Sequence, residues 1–233
     1  MMTFLFLFFA LTIELDTVNV PLTGDVKITF APSGKAEVRR EGTVTRLKIE
    51  VDRLRPPVSW GQSLNTYIVW AVSPEGIFDN LGELQVDREK GEFNGTTRLT
   101  QLGVLITAEP HYMVDRPSSA AVYRSQNVSG ETRRVTIPID VGMYDYSALK
   151  PSPPAIHSSV VQARAAFQIA QNSGAERIAE AEFRQARVVL GSMEELITRA
   201  APLEILWPTA NEAIRLAQRA VTAAREKQRA TQD

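Results

Sequence analysis

The period of the hydrophobic pattern changes once along this chain, at the proline-rich residues 151–154. Before these prolines, apolar and polar residues alternate every second position, which is typical of strands with one face in solvent. After them, apolar residues recur at alternating spacings of three and four, which is typical of helices packed along a seam. The sequence therefore predicts an α+β protein with two segregated domains, an all-β antiparallel sandwich of immunoglobulin-like type followed by helices.

The strongest β-forming stretch spans residues 66–84. Residues 67–72 are apolar on both faces of a strand, so we expect this strand to lie between two covered surfaces. The turn-forming residues 73–76 follow, and a second strand resumes at Leu81, which predicts a β-hairpin at the centre of the domain. Further strands are predicted at residues 26–30, 36–39, 47–51, 93–99, 104–109, 121–123 and 134–141.

Three alanine-rich helices are predicted after the prolines, as an antiparallel three-helix bundle or a coiled-coil-like hairpin. Alanine on the seam lets helices approach closely but buries little area per contact. We therefore expect stabilisation from the β domain, a second copy or a partner. The predicted seam comprises Ile156, Val160, Ala163, Phe167, Ala170, Ala179, Phe183, Ala186, Leu190, Met193, Ile197, Ala200, Leu206, Ala210, Ala213, Ala217, Ala220 and Ala224.

Four segments are expected: a signal-like apolar segment (1–15), the β-sandwich (16–147), a proline-rich linker (148–154) and the helical domain (155–230). The apolar block Phe4–Ile13 is too short for a membrane span, which needs about 20 apolar residues, and suits the core of a secretory signal. No Lys or Arg precedes it, so a buried first strand is the alternative. The expected location is the periplasm or cell envelope, with membrane contact only through this block if it stays uncleaved.

Composition excludes several classes of function. The chain has 26 basic and 27 acidic residues, whereas nucleic-acid-binding proteins usually show a basic excess or stripe. It contains no cysteine, which excludes disulfides, thiolate zinc sites and cysteine nucleophiles. We therefore expect no nucleic-acid partner, and a protein partner or self-association instead.

Candidate reactive groups are few. His111 follows Glu109 in a predicted loop. One histidine with scattered carboxylates offers few ligands for a metal ion and few groups for catalysis, which favours a structural role. No nucleophile elbow or phosphate-binding glycine motif occurs. The sequence thus predicts no catalytic, cofactor-binding or metal-binding residue. The candidates for an interaction are Trp60, in a loop between prolines and a glycine, and the neighbouring pair His111 and Tyr112.

Two local motifs resemble known families. The pattern Tyr67-x-x-Trp70-x-x-x-Pro74-x-Gly76 with Leu81-Gly82-Glu83 resembles the extracytoplasmic β-sandwich of RskA-type anti-sigma factors. The same hairpin, combined with residues 105–111 and 116–118, is similar to uncharacterised exported proteins of acidobacterial type. In those proteins a sandwich precedes an alanine-rich helical segment, often upstream of an OmpA-like domain. This resemblance implies an exported location, a two-part architecture and an association with the cell wall.

These observations predict a non-enzymatic structural or interaction protein of the cell envelope. Its sandwich would be a head for protein or surface contact, and its helical segment would serve assembly. The alternative is an extracytoplasmic sensory or regulatory domain of anti-sigma type. A third hypothesis is an enzyme that uses Glu109 and His111.

Overall fold

The computed structural model describes residues 17–24, 33–125, 144–153, 155 and 157–232. Within these residues it is an α+β structure, nine strands followed by helices of which three are long, so the predicted fold class is confirmed at this level. The apolar block Phe4–Ile13 and the strands predicted at 26–30 and 134–141 lie outside the described residues. The strands are β1 (Thr17–Gly24), β2 (Ser33–Glu41), β3 (Val44–Val51), β4 (Thr66–Val72), β5 (Phe78–Glu83), β6 (Gln85–Asp87), β7 (Lys90–Thr97), β8 (Gly103–Glu109) and β9 (Ala121–Ser125).

All strand pairs are antiparallel, in the order β5-β4-β8-β9-β1-β2-β3-β7-β6. The two ends of this order approach each other, because Thr97 Oγ1 on β7 donates a hydrogen bond to Asp79 Oδ2 on β5 at 2.7 Å. Side chains from both halves of the order meet in one apolar core. This core includes Leu47, Ile49 and Phe93 from one half and Tyr67, Val69 and Ile106 from the other.

Strand β4 is buried at every position, which confirms the predicted strand between two covered surfaces. Tyr67 and Val69 join the core described above, whereas Ile68 and Trp70 join a second cluster on the opposite face. Its partner β5 begins at Phe78, three residues before the predicted start. The reason is a tight turn after β4. In this turn the main-chain N–H of Ser73 donates to the carbonyl of Ile77 at 2.9 Å, so the chain has reversed its direction before Phe78.

The helices are α1 (Ser158–Asn172), α2 (Ala175–Ile178), α3 (Glu180–Thr198) and α4 (Leu203–Gln232). Most of the predicted seam is buried in one cluster that α1, α3 and α4 share. Ile156 lies outside the described residues, and Ala200 is the exception among the others. It is exposed and takes a left-handed φ of +51° in the turn between α3 and α4, so its assignment to the seam was wrong. None of the described helices combines the length and apolar composition of a membrane span.

Buried contacts join the helices to the strands. The side chain of Gln162 on α1 is buried; its Oε1 accepts from the main-chain N–H of Tyr112 and its Nε2 donates to Glu83 Oε1, both at 2.9 Å. Tyr146, which precedes the prolines, packs against both β clusters and the helical cluster. Tyr112 and Tyr146 therefore pack on the second face of β4 and β8 and also contact the helical cluster. The predicted domain boundaries stay a prediction.

Candidate binding cleft

A cleft of about 410 Å³ lies where three connecting segments meet: the loop between β3 and β4, the connection between β8 and β9, and the segment that leads to α1. This volume falls within the roughly 300 to 1,000 Å³ typical of ligand pockets. Three aromatic residues line it, Trp60, Tyr144 and Tyr146. Its polar lining comprises Gln62, Ser63, Ser118, Ser119, Asp145 and Ser147.

The loop before β4 fixes the ring of Trp60. Prolines start a short 3-10 turn over Pro57–Ser59, and the main-chain N–H of Trp60 donates to the Pro57 carbonyl at 3.0 Å. The indole Nε1 donates to the hydroxyl of Tyr67 at 3.0 Å, and that hydroxyl donates in turn to the Arg55 carbonyl. Trp60 is half-buried, so the indole is held by its edge while part of the ring stays open to the cleft.

Contacts with both parts of the molecule hold the two tyrosines. The Tyr144 main-chain N–H donates to the Pro117 carbonyl at 3.2 Å, which pairs this segment with the β8–β9 connection. The rings of Tyr144 and Tyr146 lie 4.7 Å apart between centroids and are tilted by 41°. The guanidinium of Arg225 on α4 lies 5.6 Å from the Tyr144 ring centroid, in cation–π range, and also pairs with Asp115. The cleft thus depends on both the strands and the helices.

Most polar groups of the lining already have partners within the protein. Ser63 Oγ donates to the Leu149 carbonyl at 2.8 Å, and Ser118 Oγ donates to the Ala108 carbonyl at 2.7 Å. Within the described residues, the exposed side chains of Gln62 and Ser119 make no hydrogen bond. The cleft therefore presents rings more than free donors or acceptors.

Asp145 is the one charged side chain among the described residues that line the cleft. Its carboxylate accepts hydrogen bonds from the main-chain N–H of Ser147 at 2.8 Å and from the Ser147 hydroxyl at 3.0 Å. These two bonds stabilise the charged form and hold the pKa of the carboxyl below its usual range. The cleft consequently carries one negative charge at neutral pH.

Of the three interaction candidates predicted from sequence, only Trp60 lines this cleft. His111 is 1% exposed, and its Nδ1 accepts from the main-chain N–H of Met113 at 3.2 Å. Burial lowers the pKa of His111 to about 3, so the ring is neutral at physiological pH. Tyr112 is half-buried and packs against the helical cluster. The structure therefore does not bring the three together.

Glu109 lies in the wall behind Ser118 and does not line the cleft. Its Oε1 accepts from the Thr107 hydroxyl and from the main-chain N–H of Ser118, while its buried Oε2 has no partner among the described residues. Burial raises the pKa of Glu109 to about 8. Within the described part of the chain, no three His, Asp or Glu side chains converge to hold a metal ion.

Sequence reasoning missed Tyr144 and Tyr146, and one signal could have found them. Two aromatic residues stand two positions apart just before the prolines, a spacing that places both rings on one side of an extended segment. It also missed Trp207 on α4, which is 50% exposed and lies off the predicted seam.

No protein-family model matches this chain, and no curated protein or solved structure matches it significantly. The likeness to exported acidobacterial-type proteins and to anti-sigma factors therefore stays a prediction.

Proposed function

We propose that this protein is a non-enzymatic interaction protein of the cell envelope, which binds a partner protein at the aromatic cleft. The observation that carries this proposal is the composition of the lining: three positioned rings, one carboxylate and few free polar groups. Active sites usually gather acids and bases with perturbed pKa values inside the pocket. In the lining, the pKa of Asp145 is lowered and burial raises the pKa of Tyr146, so both shifts move these groups away from neutral pH; Glu109 and His111 are buried outside the lining, which supports recognition over chemistry.

We interpret the β part as a two-layer sandwich of immunoglobulin-like type, and the helical part as a three-helix bundle that supports the cleft. The shared core between the two halves of the strand order supports the first interpretation. The contact of Arg225 with Tyr144 supports the second, because a helical residue then backs the cleft wall. Leu203, Ile205 and Trp207, at the start of α4, are exposed and give the helical part apolar surface for assembly.

For the location we propose export to the periplasm or cell envelope. The support is the apolar block Phe4–Ile13, whose length suits a secretory signal. Cell fractionation followed by mass spectrometry of the amino terminus tests this proposal. Recovery from the cytosol with an intact terminus would contradict it.

Site-specific photocrosslinking in cells of the source organism tests the proposed function. A photoreactive phenylalanine is placed at Ser119, which is exposed beside the cleft, and as a control at Val188, which is 63% exposed on α3. We expect the Ser119 probe to trap one or a few proteins, identified by mass spectrometry, that the Val188 probe does not trap. These products should disappear in Trp60→Ala. Identical products from both probes, or products that persist in Trp60→Ala, would exclude the cleft as the partner site.

A further inference from the structure

We infer that the cleft binds an extended, proline-containing segment with neutral or basic flanks. This inference rests on the proposed function and names the chemical class of the ligand at the same site. Proline-rich segments adopt the polyproline II conformation, which has three residues per turn and no internal hydrogen bonds. Grooves lined by aromatic side chains recognise that conformation, because flat rings pack against the pyrrolidine rings.

The hydrogen bonds of the lining favour such a peptide over a sugar. The Ser63 and Ser118 hydroxyls donate to main-chain carbonyls, and the indole N–H of Trp60 donates to Tyr67. A bound sugar would bring many hydroxyl groups, and a polar group that is buried without a partner costs free energy. A proline residue has no main-chain N–H, so it needs fewer partners. The free side chains of Gln62 and Ser119 suffice for a few peptide carbonyls.

The charge of the cleft determines which residues we expect on either side of the prolines in the peptide. Asp145 is ionised and stands at the cleft, whereas no Lys or Arg belongs to the described lining. The nearby guanidinium of Arg225 is engaged behind Tyr144 and by Asp115. Lysine or arginine beside the prolines would be attracted to the Asp145 carboxylate, and glutamate would be repelled.

The test measures binding of labelled peptides to the full chain by fluorescence anisotropy. The probe is a segment of eight prolines with a lysine at each end. The comparison ligands are the same peptide with alternate prolines replaced by alanine, the same peptide with glutamate ends, and an unlabelled neutral glucose hexasaccharide added as a competitor. We expect the lysine–proline peptide to bind at least fivefold more tightly than either altered peptide, and the sugar not to displace it.

Four variants connect binding to the cleft. Trp60→Ala should weaken binding at least tenfold and Trp60→Phe less than fivefold, because phenylalanine keeps a flat ring. Asp145→Asn should weaken binding of the lysine-ended peptide two- to fivefold. Val188→Ala is the control and should change binding less than twofold, since Val188 is 63% exposed on α3 and does not line the cleft. Near-ultraviolet circular dichroism checks that each variant is folded.

Three results would overturn the inference: equal binding of the proline and alanine peptides, no binding of the proline peptide at millimolar concentration, or Trp60-dependent binding of the sugar. The crosslinking experiment keeps the two proposals apart. If Ser119 traps a partner in a Trp60-dependent way while the proline peptide does not bind, the ligand class is wrong and the interaction function stands. If no Trp60-dependent product forms, the interaction function fails as well.

Discussion

Glu109 links the stability of the β part to pH. Burial raises its pKa in the folded protein to about 8, from an ordinary value of 4.5. The neutral acid is therefore the form that the fold favours, so its contribution to stability is complete below about pH 4.5 and is lost as the pH rises through about 8. His111 acts in the opposite direction. Its lowered pKa means that its contribution is complete above pH 6.5 and is lost as the pH falls toward about 3.

We predict that Glu109→Gln makes stability less dependent on pH above 6.5, in a comparison where the contribution of His111 is common to both proteins. The wild-type protein should lose about 1 to 2 kcal/mol of unfolding free energy between pH 6.5 and 8, and the variant clearly less. Urea unfolding at several pH values measures the difference. Glu92→Gln, at an exposed position of β7, is the control and should follow the wild type. Parallel curves for wild type and Glu109→Gln would contradict the prediction.

Two glycines should respond to alanine with opposite signs. A Cβ at Gly91 on β7 would come within 2.6 to 2.8 Å of the side chains of Leu84, Leu54 and Val51, whereas a Cβ at Gly191 on α3 meets nothing within 4 Å. Gly91→Ala should cost about 1 to 3 kcal/mol through overpacking. Gly191→Ala should stabilise the protein by about 0.5 to 1 kcal/mol, because alanine is the better helix former. Chemical denaturation measures both, and changes of the same sign would show that the packing around one site is misassigned.

At the scale of elements, helix α1 carries two glutamines in contrasting settings. Gln162 is buried and joins α1 to the main chain at Tyr112 and to Glu83. Gln168 is half-buried and bonds the main-chain N–H and carbonyl of Lys150 at 3.0 and 3.1 Å, but these bonds are exposed, so water can replace them. Each glutamine side chain makes two hydrogen bonds, so the two residues differ mainly in burial.

We therefore predict that Gln162→Ala destabilises the protein by about 1 to 3 kcal/mol, since it leaves the part-buried main-chain N–H of Tyr112 without its acceptor and leaves Glu83 Oε1 only the hydrogen bond from Thr66. Gln168→Ala should cost less than about 0.5 kcal/mol, because water can take the place of its exposed hydrogen bonds. Thermal or urea unfolding of both variants measures the contrast. Equal losses would mean that the contact between α1 and the strands contributes little.

How far the sequence predicts an element depends on whether its signal is local. The six apolar residues of β4 at positions 67–72 and the alanine seam of α4 are each a regular pattern within one segment, and both predictions are confirmed. Strand β6 spans only Gln85–Asp87 and has no period to detect. Glutamine is a residue type common at exposed helix positions. Only the partners of Gln162, which are distant in sequence, reveal its role. The local sequence around Trp60 identifies it as a contact candidate, because it lies in a loop. The two tyrosines that complete its cleft come from a segment distant in sequence, so no local pattern links them to Trp60.

At the scale of the whole molecule, partly buried side chains join the strands to the helices. Tyr146 packs against all three apolar clusters, and the pair of Arg225 with Asp115 joins the last helix to the β8–β9 connection. Neither part can unfold without exposing surface that the other covers. The proline-rich segment between them is thus bordered by contacts that couple the two parts.

We predict that strands and helices unfold in one transition. Far-ultraviolet circular dichroism reports the helices, and fluorescence of a variant with Trp60→Phe and Trp207→Phe reports Trp70 in β4. The two unfolding midpoints should agree within about 0.2 M urea, as expected for a two-state transition. Loss of the helical signal at clearly lower urea would show that the helices unfold independently.

The position of β1 has a consequence for biosynthesis. This strand leaves the ribosome first among the described strands, yet it sits between β2 and β9 in the hydrogen-bonded order. Strand β9, the second neighbour of β1, is translated last of the nine described strands. The pairing of β1 with β9 therefore cannot form until nearly the whole β part has been translated. If the protein is exported as proposed, this order of synthesis would leave it without a completed sheet until late in translation.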